Sequence, residues 1–230
     1  MKESCLYDSF LATATSYFAP VLKEDNMKFN PKSLKQRELY YLQTDVVVPR
    51  PIAWVSTVSN KGVFNLAPFS AYAMAGVIPM LVCFSVGTTR DGRKKDTILN
   101  IEATREFAIS VVTEELAEKM NLTSAPYPRD VSEYEEAGLT PVKGDVIKAP
   151  MVGESPVNME CIVHQILEFG KLPTLSSMVI GEIVMIHVAD EIFDKQSGRI
   201  SGLNAVGRLG GDGDAYCRTR DTFQMKRPTL

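Results

Sequence analysis

Residues 49–70 read PRPIAWVSTVSNKGVFNLAPFS, and this stretch decides the fold. Residues 52–58 are rich in apolar and β-branched side chains, which favour strands. Residues 63–66 resume the apolar pattern after Asn60, Lys61 and Gly62, which supply the chemistry of a tight turn. The stretch therefore predicts two antiparallel strands joined by a short turn.

Three polar residues, Ser56, Thr57 and Asn65, lie in or beside this otherwise apolar hairpin. A polar side chain held against a core must find a partner or a ligand. Residues 67–70, Ala-Pro-Phe-Ser, then form a stiff turn with little bulk. This combination suits a flat ring lying against the backbone.

A basic loop is the second chemical signal, because residues 90–95 read RDGRKK. Asp96 is expected to cap a helix through residues 97–101. Backbone N–H groups at a helix N-terminus bind phosphate, and a nearby ammonium and hydroxyl complete such a site. Lys95 and Thr97 are therefore candidate phosphate ligands, and the alternative is a basic loop that only faces solvent.

The remaining pattern is mainly β. Strands are expected over residues 80–86, 106–112, 157–169 and 178–188. The continuous apolar run 80–86 predicts a strand buried on both faces. Helices are expected from residue 113, and from a capping box at Ser132 to a stop at Gly138. Because the strands do not alternate with crossover helices, an antiparallel barrel with a few peripheral helices is favoured over a doubly wound sheet.

Composition narrows the classes of function. The chain has 230 residues, 45% of them hydrophobic, which is enough for one core. A net charge of −3 speaks against a nucleic-acid or membrane-surface protein, and no apolar run approaches the ~20 residues that span a bilayer. Four widely spaced cysteines without a CxxC pair indicate a reducing, cytoplasmic setting.

The chain is expected to divide into an N-terminal extension, residues 1–39, and one domain, residues 40–230. The extension is either an ordered arm packed on a partner subunit or a loose tail.

Several other residues have ordinary structural interpretations. Trp54 is expected in the core, and His164 and His187 are expected to be packed or edge residues and not metal ligands. Residues 207–211, GRLGG, lack the GxGxxG order and predict a mobile loop.

PRPIAWVST followed by NLAPFS is similar to segments of the flavin-reductase-like family of FMN-binding split barrels, which has flavoredoxin-like members. The similarity continues through KKDTILNIEATREFAISVVTEEL, EYEEAGLTPVK, ESPVNMEC, VIGEIV and AVGRLGG, over residues 40–225. The resemblance implies a Greek-key-like split β-barrel, a homodimer with FMN near its interface, and two-electron chemistry at a non-covalently bound flavin.

The resemblance also implies a set of cofactor-binding residues. Lys95, Asp96 and Thr97 match the KDT segment that lies by the cofactor phosphate, and Arg208 lies in the matching VGRLGG segment. We expect Asn65, Ala67 and Ser70 to contact the ring, Ser56 and Thr57 to help hold the ribityl phosphate, and Pro68 to complete the set. No side chain is expected to act as an acid or base, and no metal is expected.

One departure from the resemblance concerns the electron donor. Many short-chain flavin reductases carry a GDH segment whose histidine faces the nicotinamide, and here residues 170–173 read GKLP. The donor is thus NADH, NADPH or another protein, and the redox partner a small molecule or a protein. The first expectation is an FMN-dependent oxidoreductase; the alternatives are a non-catalytic FMN carrier and a related barrel that binds pyridoxal phosphate.

Overall fold

The computed structural model describes residues 27–211 and 214–229. The helices are α1 (Gln36–Val46), α2 (Asp96–Thr104), α3 (Ala117–Leu122) and α4 (Glu133–Glu136), with 3-10 turns at Pro31–Ser33, Glu114–Leu116 and Asp190–Ile192. The strands are β1 (Arg50–Pro51), β2 (Ala53–Val58), β3 (Phe64–Phe69), β4 (Tyr72–Gly76), β5 (Leu81–Val86), β6 (Glu106–Ser110), β7 (Pro141–Val142), β8 (Met151–Val152), β9 (Val157–Phe169), β10 (Ser176–Val188), β11 (Phe193–Asp194), β12 (Arg199–Ile200), β13 (Val206–Arg208) and β14 (Tyr216–Arg218).

A curled, seven-stranded antiparallel sheet forms the body of the fold. Its strand order is β3-β2-β6-β9-β10-β5-β4. Strands β9 and β10 are the long central pair, with 13 residues each. The sheet is a curled half-barrel, and the predicted mainly β fold, an antiparallel split barrel with a few peripheral helices, is confirmed.

The hairpin predicted over residues 49–70 is present as β2 and β3. Thr57 lies opposite Asn65 and Ser56 opposite Leu66. The turn closes by a hydrogen bond from Gly62 N to the Ser59 carbonyl, 2.9 Å, and Gly62 adopts a φ of +80°. Glycine adopts this left-handed conformation without steric cost, which explains its place in the turn.

Both faces of β2 are buried. Ala53 and Val55 join a cluster with Phe84 and Phe107 inside the curl. Trp54, on the other face, has no exposed area, and its Nε1 donates to Thr123 Oγ1 over 2.9 Å. The prediction that Trp54 is a core residue is confirmed, and β2 is rigidly placed between two packed layers.

Three local predictions are wrong. Strand β5 was expected to be buried on both faces. Val82, Phe84 and Val86 are buried on one face, but the residues that alternate with them on the other face are half-exposed. Lys95, and not Asp96, is the N-cap of α2, which begins one residue earlier than expected. The Ser132 side chain makes no cap hydrogen bond, although Ser132 does precede α4.

The glycine-rich segment near the C-terminus is also more ordered than predicted. Residues Val206–Arg208 form β13, which pairs with β1 on one side and β14 on the other. Hydrogen bonds from both neighbours outweigh the conformational freedom of Gly207. The expected mobile loop is wrong for these residues.

The chain divides after Leu42 into two compact units, one that ends at Leu42 and one that spans Gln43–Leu230. Most of the predicted arm or tail, residues 1–26, lies outside the described residues, so that prediction stays open. No helix in the described part of the chain is long and apolar enough to cross a membrane.

Candidate functional site

The N-terminal end of α2 lies against the β2–β3 hairpin. Thr97 Oγ1 donates to Asn65 Oδ1 over 2.9 Å, and Asn100 Nδ2 donates to Thr57 Oγ1 over 3.0 Å. Thr57 Oγ1 also lies 3.3 Å from Asn65 Oδ1. The two segments that carry the predicted ring and phosphate contacts therefore meet in one hydrogen-bonded network.

Lys95 differs from its cationic neighbours Arg93 and Lys94. Arg93 pairs with Asp91, and Lys94 pairs with Glu102 and Glu168 at 2.6 and 2.7 Å. Within the described residues, Lys95 Nζ has neither an ion pair nor a hydrogen bond, and it lies 5.6 Å from the centre of the Phe69 ring.

Lys95 is half-buried, and burial lowers the pKa of its ammonium from the ordinary 10.5. A half-buried cation without a counter-charge is costly, so this position favours an anion.

The first turn of α2 offers backbone donors beside Lys95. Its N-cap provides no side-chain hydrogen bond, and the first intrahelical bond of this end runs from Leu99 N to the Lys95 carbonyl. The N–H groups of the preceding residues have no intrahelical acceptor, as at any helix start. Together with Lys95 they form a donor set that fits a phosphate group.

The loop that precedes α2 is held in place from the β9–β10 turn. Thr88 Oγ1 donates to the Pro173 carbonyl over 2.7 Å. Gly92 has a φ of +82°, and a Cβ there would lie 2.4 Å from Pro173 Cβ. Only glycine fits this close approach, so residues 170–173 directly buttress the basic loop.

Asp96, the first residue of α2, is paired with Arg129. The guanidinium contacts Asp96 Oδ1 through one nitrogen and donates to Asn100 Oδ1, 3.0 Å away, through the other. This ion pair offsets the negative charge of Asp96 beside the candidate phosphate site.

Glu133 is a buried carboxylate that contacts β3 of the hairpin. Its side chain accepts from Asn65 Nδ2 at 2.7 Å and from Leu66 N at 2.9 Å. The residue is 7% exposed, and burial raises the pKa of its carboxyl group.

Sequence reasoning missed Asn100, Arg129 and Glu133. Ser132 to Glu135 fitted a capping box, and this local pattern concealed the long-range role of Glu133.

The remaining predicted site residues occupy two places. Ser56 is fully buried, and its Oγ lies 3.0 Å from the Tyr134 hydroxyl. Ala67 and Pro68 are half-buried on β3, opposite Val55 and Trp54. They extend the hairpin surface away from Asn65.

Ser70 and Arg208 are connected through Arg50. Arg50 Nε lies 3.4 Å from Ser70 Oγ, and Arg50 stands opposite Arg208 in the β1–β13 pair. The Arg208 guanidinium lies over the Tyr216 ring, 4.7 Å from its centre. No contact of Arg208 with the Asn65 network is seen in the described chain, so Arg208 belongs to a second group.

His187 is part of a compact polar cluster elsewhere. His187 Nε2 lies 2.7 Å from Glu160 Oε1, and Asp145 brings a third possible ligand atom within 4.8 Å. Each Glu160 oxygen already has two partners, through His187 and the N–H groups of residues 145–147. These bonds lower the pKa of Glu160 to about 2 despite its burial. The cluster is a satisfied internal network and carries no metal assignment.

A surface cavity of about 330 Å³ lies between residues 113–116 and 202–204. None of the predicted site residues lines it. The candidate site is therefore not this cavity. It is defined by the hydrogen bonds between α2 and the β2–β3 hairpin and by Lys95, which has no counter-charge among the described residues.

Comparison with known proteins decides the family. A model of the family described as "Flavin reductase like domain" matches residues 46–203. The chain belongs to this family. The match includes the hairpin, the basic loop and Glu133, and it ends before Arg208.

Relatives of this flavin reductase-like chain match it over most of its length. An uncharacterised protein of Halalkalibacterium halodurans is 39% identical over 206 residues, which are 89% of this chain and 98% of that protein. The crystal structure of nitrilotriacetate monooxygenase component B from Bacillus cereus is 32% identical, with a TM-score of 0.82, over 88% of this chain and 100% of that one. The 2-nitrobenzoate 2-nitroreductase of Pseudomonas fluorescens is also 32% identical, with a TM-score of 0.80, over 89% and 98% of the two chains.

Proposed function

We propose that this flavin reductase-like chain is an FMN-dependent oxidoreductase whose cofactor binds non-covalently at the surface where the β2–β3 hairpin and the start of α2 meet. The observation that carries the proposal is Lys95, a half-buried ammonium with no counter-charge among the described residues, beside N–H groups of the first turn of α2 that have no intrahelical acceptor. Bound FMN supplies a ring that accepts and returns two electrons.

The chain's own residues would bind and orient the cofactor. Lys95 and the first N–H groups of α2 would hold the phosphate. The Thr97 hydroxyl already donates its hydrogen bond to Asn65 Oδ1, so Thr97 would bind the phosphate through its backbone N–H. Asn65, Ala67 and Pro68 would lie along the ring, and Ser56, being buried, would act through its position in β2.

Absorption spectroscopy of the purified protein and titration with FMN test the cofactor. We expect flavin bands and saturable quenching of FMN fluorescence, with weaker binding of riboflavin, which lacks the phosphate. Pyridoxal phosphate is the competing phosphorylated ring, and tighter binding of it than of FMN would contradict the proposal.

The electron donor is tested by oxidation of NADH and NADPH with and without added FMN. The turn at residues 170–173, which has no histidine, buttresses the basic loop, and this favours a second candidate function, an FMN carrier reduced by another protein. Turnover with either nicotinamide supports the enzyme. Saturable FMN binding without turnover supports the carrier.

We also propose a homodimer. The edge strand β4 and the turn after it expose apolar side chains, with Met74 80%, Val77 69% and Ile78 96% exposed. A contiguous exposed apolar patch marks an interaction surface, and a second copy of this chain is the partner that the family resemblance favours. Light scattering tests this: Ile78→Asp should shift the mass from two subunits to one, and a parent of monomer mass contradicts it.

The free thiols of Cys83, Cys161 and Cys217 are compatible with the cytoplasmic setting that we propose.

A further inference from the structure

A directional chain of hydrogen bonds runs beneath the candidate site. Arg129 donates to Asn100 Oδ1 at 3.0 Å, and Asn100 Nδ2 donates to Thr57 Oγ1 at 3.0 Å. Thr57 Oγ1 reaches Asn65 Oδ1 at 3.3 Å, and Asn65 Nδ2 donates to Glu133 Oε1 at 2.7 Å. Each member between the ends both accepts and donates.

The two ends determine the direction of this chain. A guanidinium can only donate, and an ionised carboxylate can only accept. The nitrogen of the Asn65 amide must therefore face Glu133, and its oxygen must face Thr57 and Thr97. By the same reasoning the oxygen of Asn100 must face Arg129.

The direction decides what the site offers a ligand. Because Asn65 Oδ1 accepts from Thr97 Oγ1, the Thr97 hydroxyl proton points into the network. The second N–H of Asn65 remains as the donor that this residue can offer to a ring. If the amide turned round, acceptors and donors at the site would be exchanged.

We propose that Arg129 and Glu133 are positioning residues that set the donor and acceptor pattern of the FMN site. This inference rests on the proposed function. The two side chains come from one short segment of the chain and reach α2 and the hairpin respectively, so the segment also ties the two halves of the site together. Burial strengthens the effect, because Asn100 is 2% and Glu133 7% exposed and water cannot substitute for a lost partner.

Glu133→Gln tests the acceptor end with almost no change of shape. The introduced side-chain amide would accept from Leu66 N and present its own N–H to Asn65, where donor faces donor unless Asn65 turns. Glu136→Gln is the matched control, because Glu136 lies on the same helix and is exposed. We expect Glu133→Gln to weaken FMN binding at least tenfold in fluorescence titrations, whereas Glu136→Gln binds like the parent.

Arg129 tests the donor end, and it is a safe substitution because its side chain is 48% exposed. Arg129→Ala should weaken FMN binding about tenfold, and Arg129→Lys, which can still only donate, should restore most of it. Circular dichroism and thermal melting of the apoprotein show whether Glu133→Gln folds. If it does not fold, the comparison of Arg129→Ala with Arg129→Lys tests the inference alone.

Coupling separates a positioning chain from two independent structural contacts. Arg129 and Glu133 make no direct contact with each other among the described residues, so independent contributions would multiply in the double variant. We expect the double variant to bind FMN clearly more tightly than the product of the two single effects predicts.

This inference would be overturned if Glu133→Gln or Arg129→Ala bound FMN like the parent, or if the two single effects on affinity multiplied in the double variant. The proposed FMN site would not be affected by these results. A parent that does not bind FMN at all would overturn the proposed function and this inference with it.

Discussion

The removal of one ammonium group, by Lys95→Ala, tests the phosphate end of the site most directly. Lys95 has no counter-charge in the described chain, whereas the adjacent Lys94 lies between two carboxylates. The two lysines are neighbours in sequence and have the same charge. Lys94→Ala is therefore a matched control for charge, position and side-chain length.

The magnitude follows from the bond that is lost. A hydrogen bond to a charged group contributes about 1.5–3 kcal/mol, which corresponds to roughly 10- to 150-fold in Kd. Lys95→Ala should weaken FMN binding by that factor. Lys94→Ala should leave FMN affinity within about twofold, because exposed ion pairs contribute about 0–1 kcal/mol and only to folding.

The assay is a fluorescence titration with FMN and, in parallel, with riboflavin. Riboflavin has no phosphate, so Lys95→Ala should change its affinity little. The reasoning is refuted if Lys95→Ala binds FMN as tightly as the parent does, or if the loss is the same for riboflavin and FMN.

The remaining predictions concern pH and packing. Burial lowers the pKa of Lys95 in the free protein, and a bound phosphate would raise this pKa again, so FMN binding takes up protons. FMN affinity should therefore fall as the pH rises from neutrality toward 10.5. FMN titrations at a series of pH values should show this fall in the parent and not in Lys95→Ala. Glu160→Gln places a donor against backbone N–H groups and should lower the free energy of unfolding in urea by about 1–3 kcal/mol. In the parent, the stabilisation by ionised Glu160 is fully present above the ordinary carboxyl pKa of 4.5 and should be lost as the pH drops toward 2. An unchanged unfolding midpoint in the variant would contradict this prediction. Gly181→Ala would put a Cβ 2.3 Å from the buried Phe107 ring and should cost about 1–3 kcal/mol, whereas a parent-like melting midpoint would disprove the close contact.

The hairpin was predictable because its signals are local. A run of apolar and β-branched residues, the Asn-Lys-Gly turn and the resumed apolar pattern determine β2 and β3 within about 20 residues of chain. The central strands β9 and β10 are long enough to be recognised from their own apolar pattern. The helix at Asp96 was likewise recognised, with its cap misplaced by one residue. Local sequence could not show that one face of β5 stays half-exposed, because burial depends on which elements pack there.

The candidate site was only partly predictable, because its decisive contacts are long-range. Lys94 and Lys95 cannot be told apart by composition, and one of the two carboxylates that pair with Lys94, Glu168, is 74 positions away from it. Glu133 is 68 positions from Asn65, and Arg129 is 33 positions from Asp96. A charged residue in a short helix looks like a solvent-facing residue until the fold brings it against a hairpin.

The free-energy cost of half-burying the Lys95 ammonium links FMN binding to the stability of the apoprotein. A half-buried ammonium without a counter-charge destabilises the apoprotein, so Lys95→Met, which keeps the length of the side chain, should leave the melting midpoint of the apoprotein unchanged or raise it. The same substitution should weaken FMN binding and reduce the rise in melting midpoint that FMN produces, because a ligand stabilises in proportion to its affinity. These two effects have opposite signs, and an ordinary structural lysine would show a loss of stability in the apoprotein. Thermal melting of the parent and Lys95→Met, each with and without FMN, measures both, and a lower midpoint for the apo variant would contradict the assignment of Lys95 to an anion.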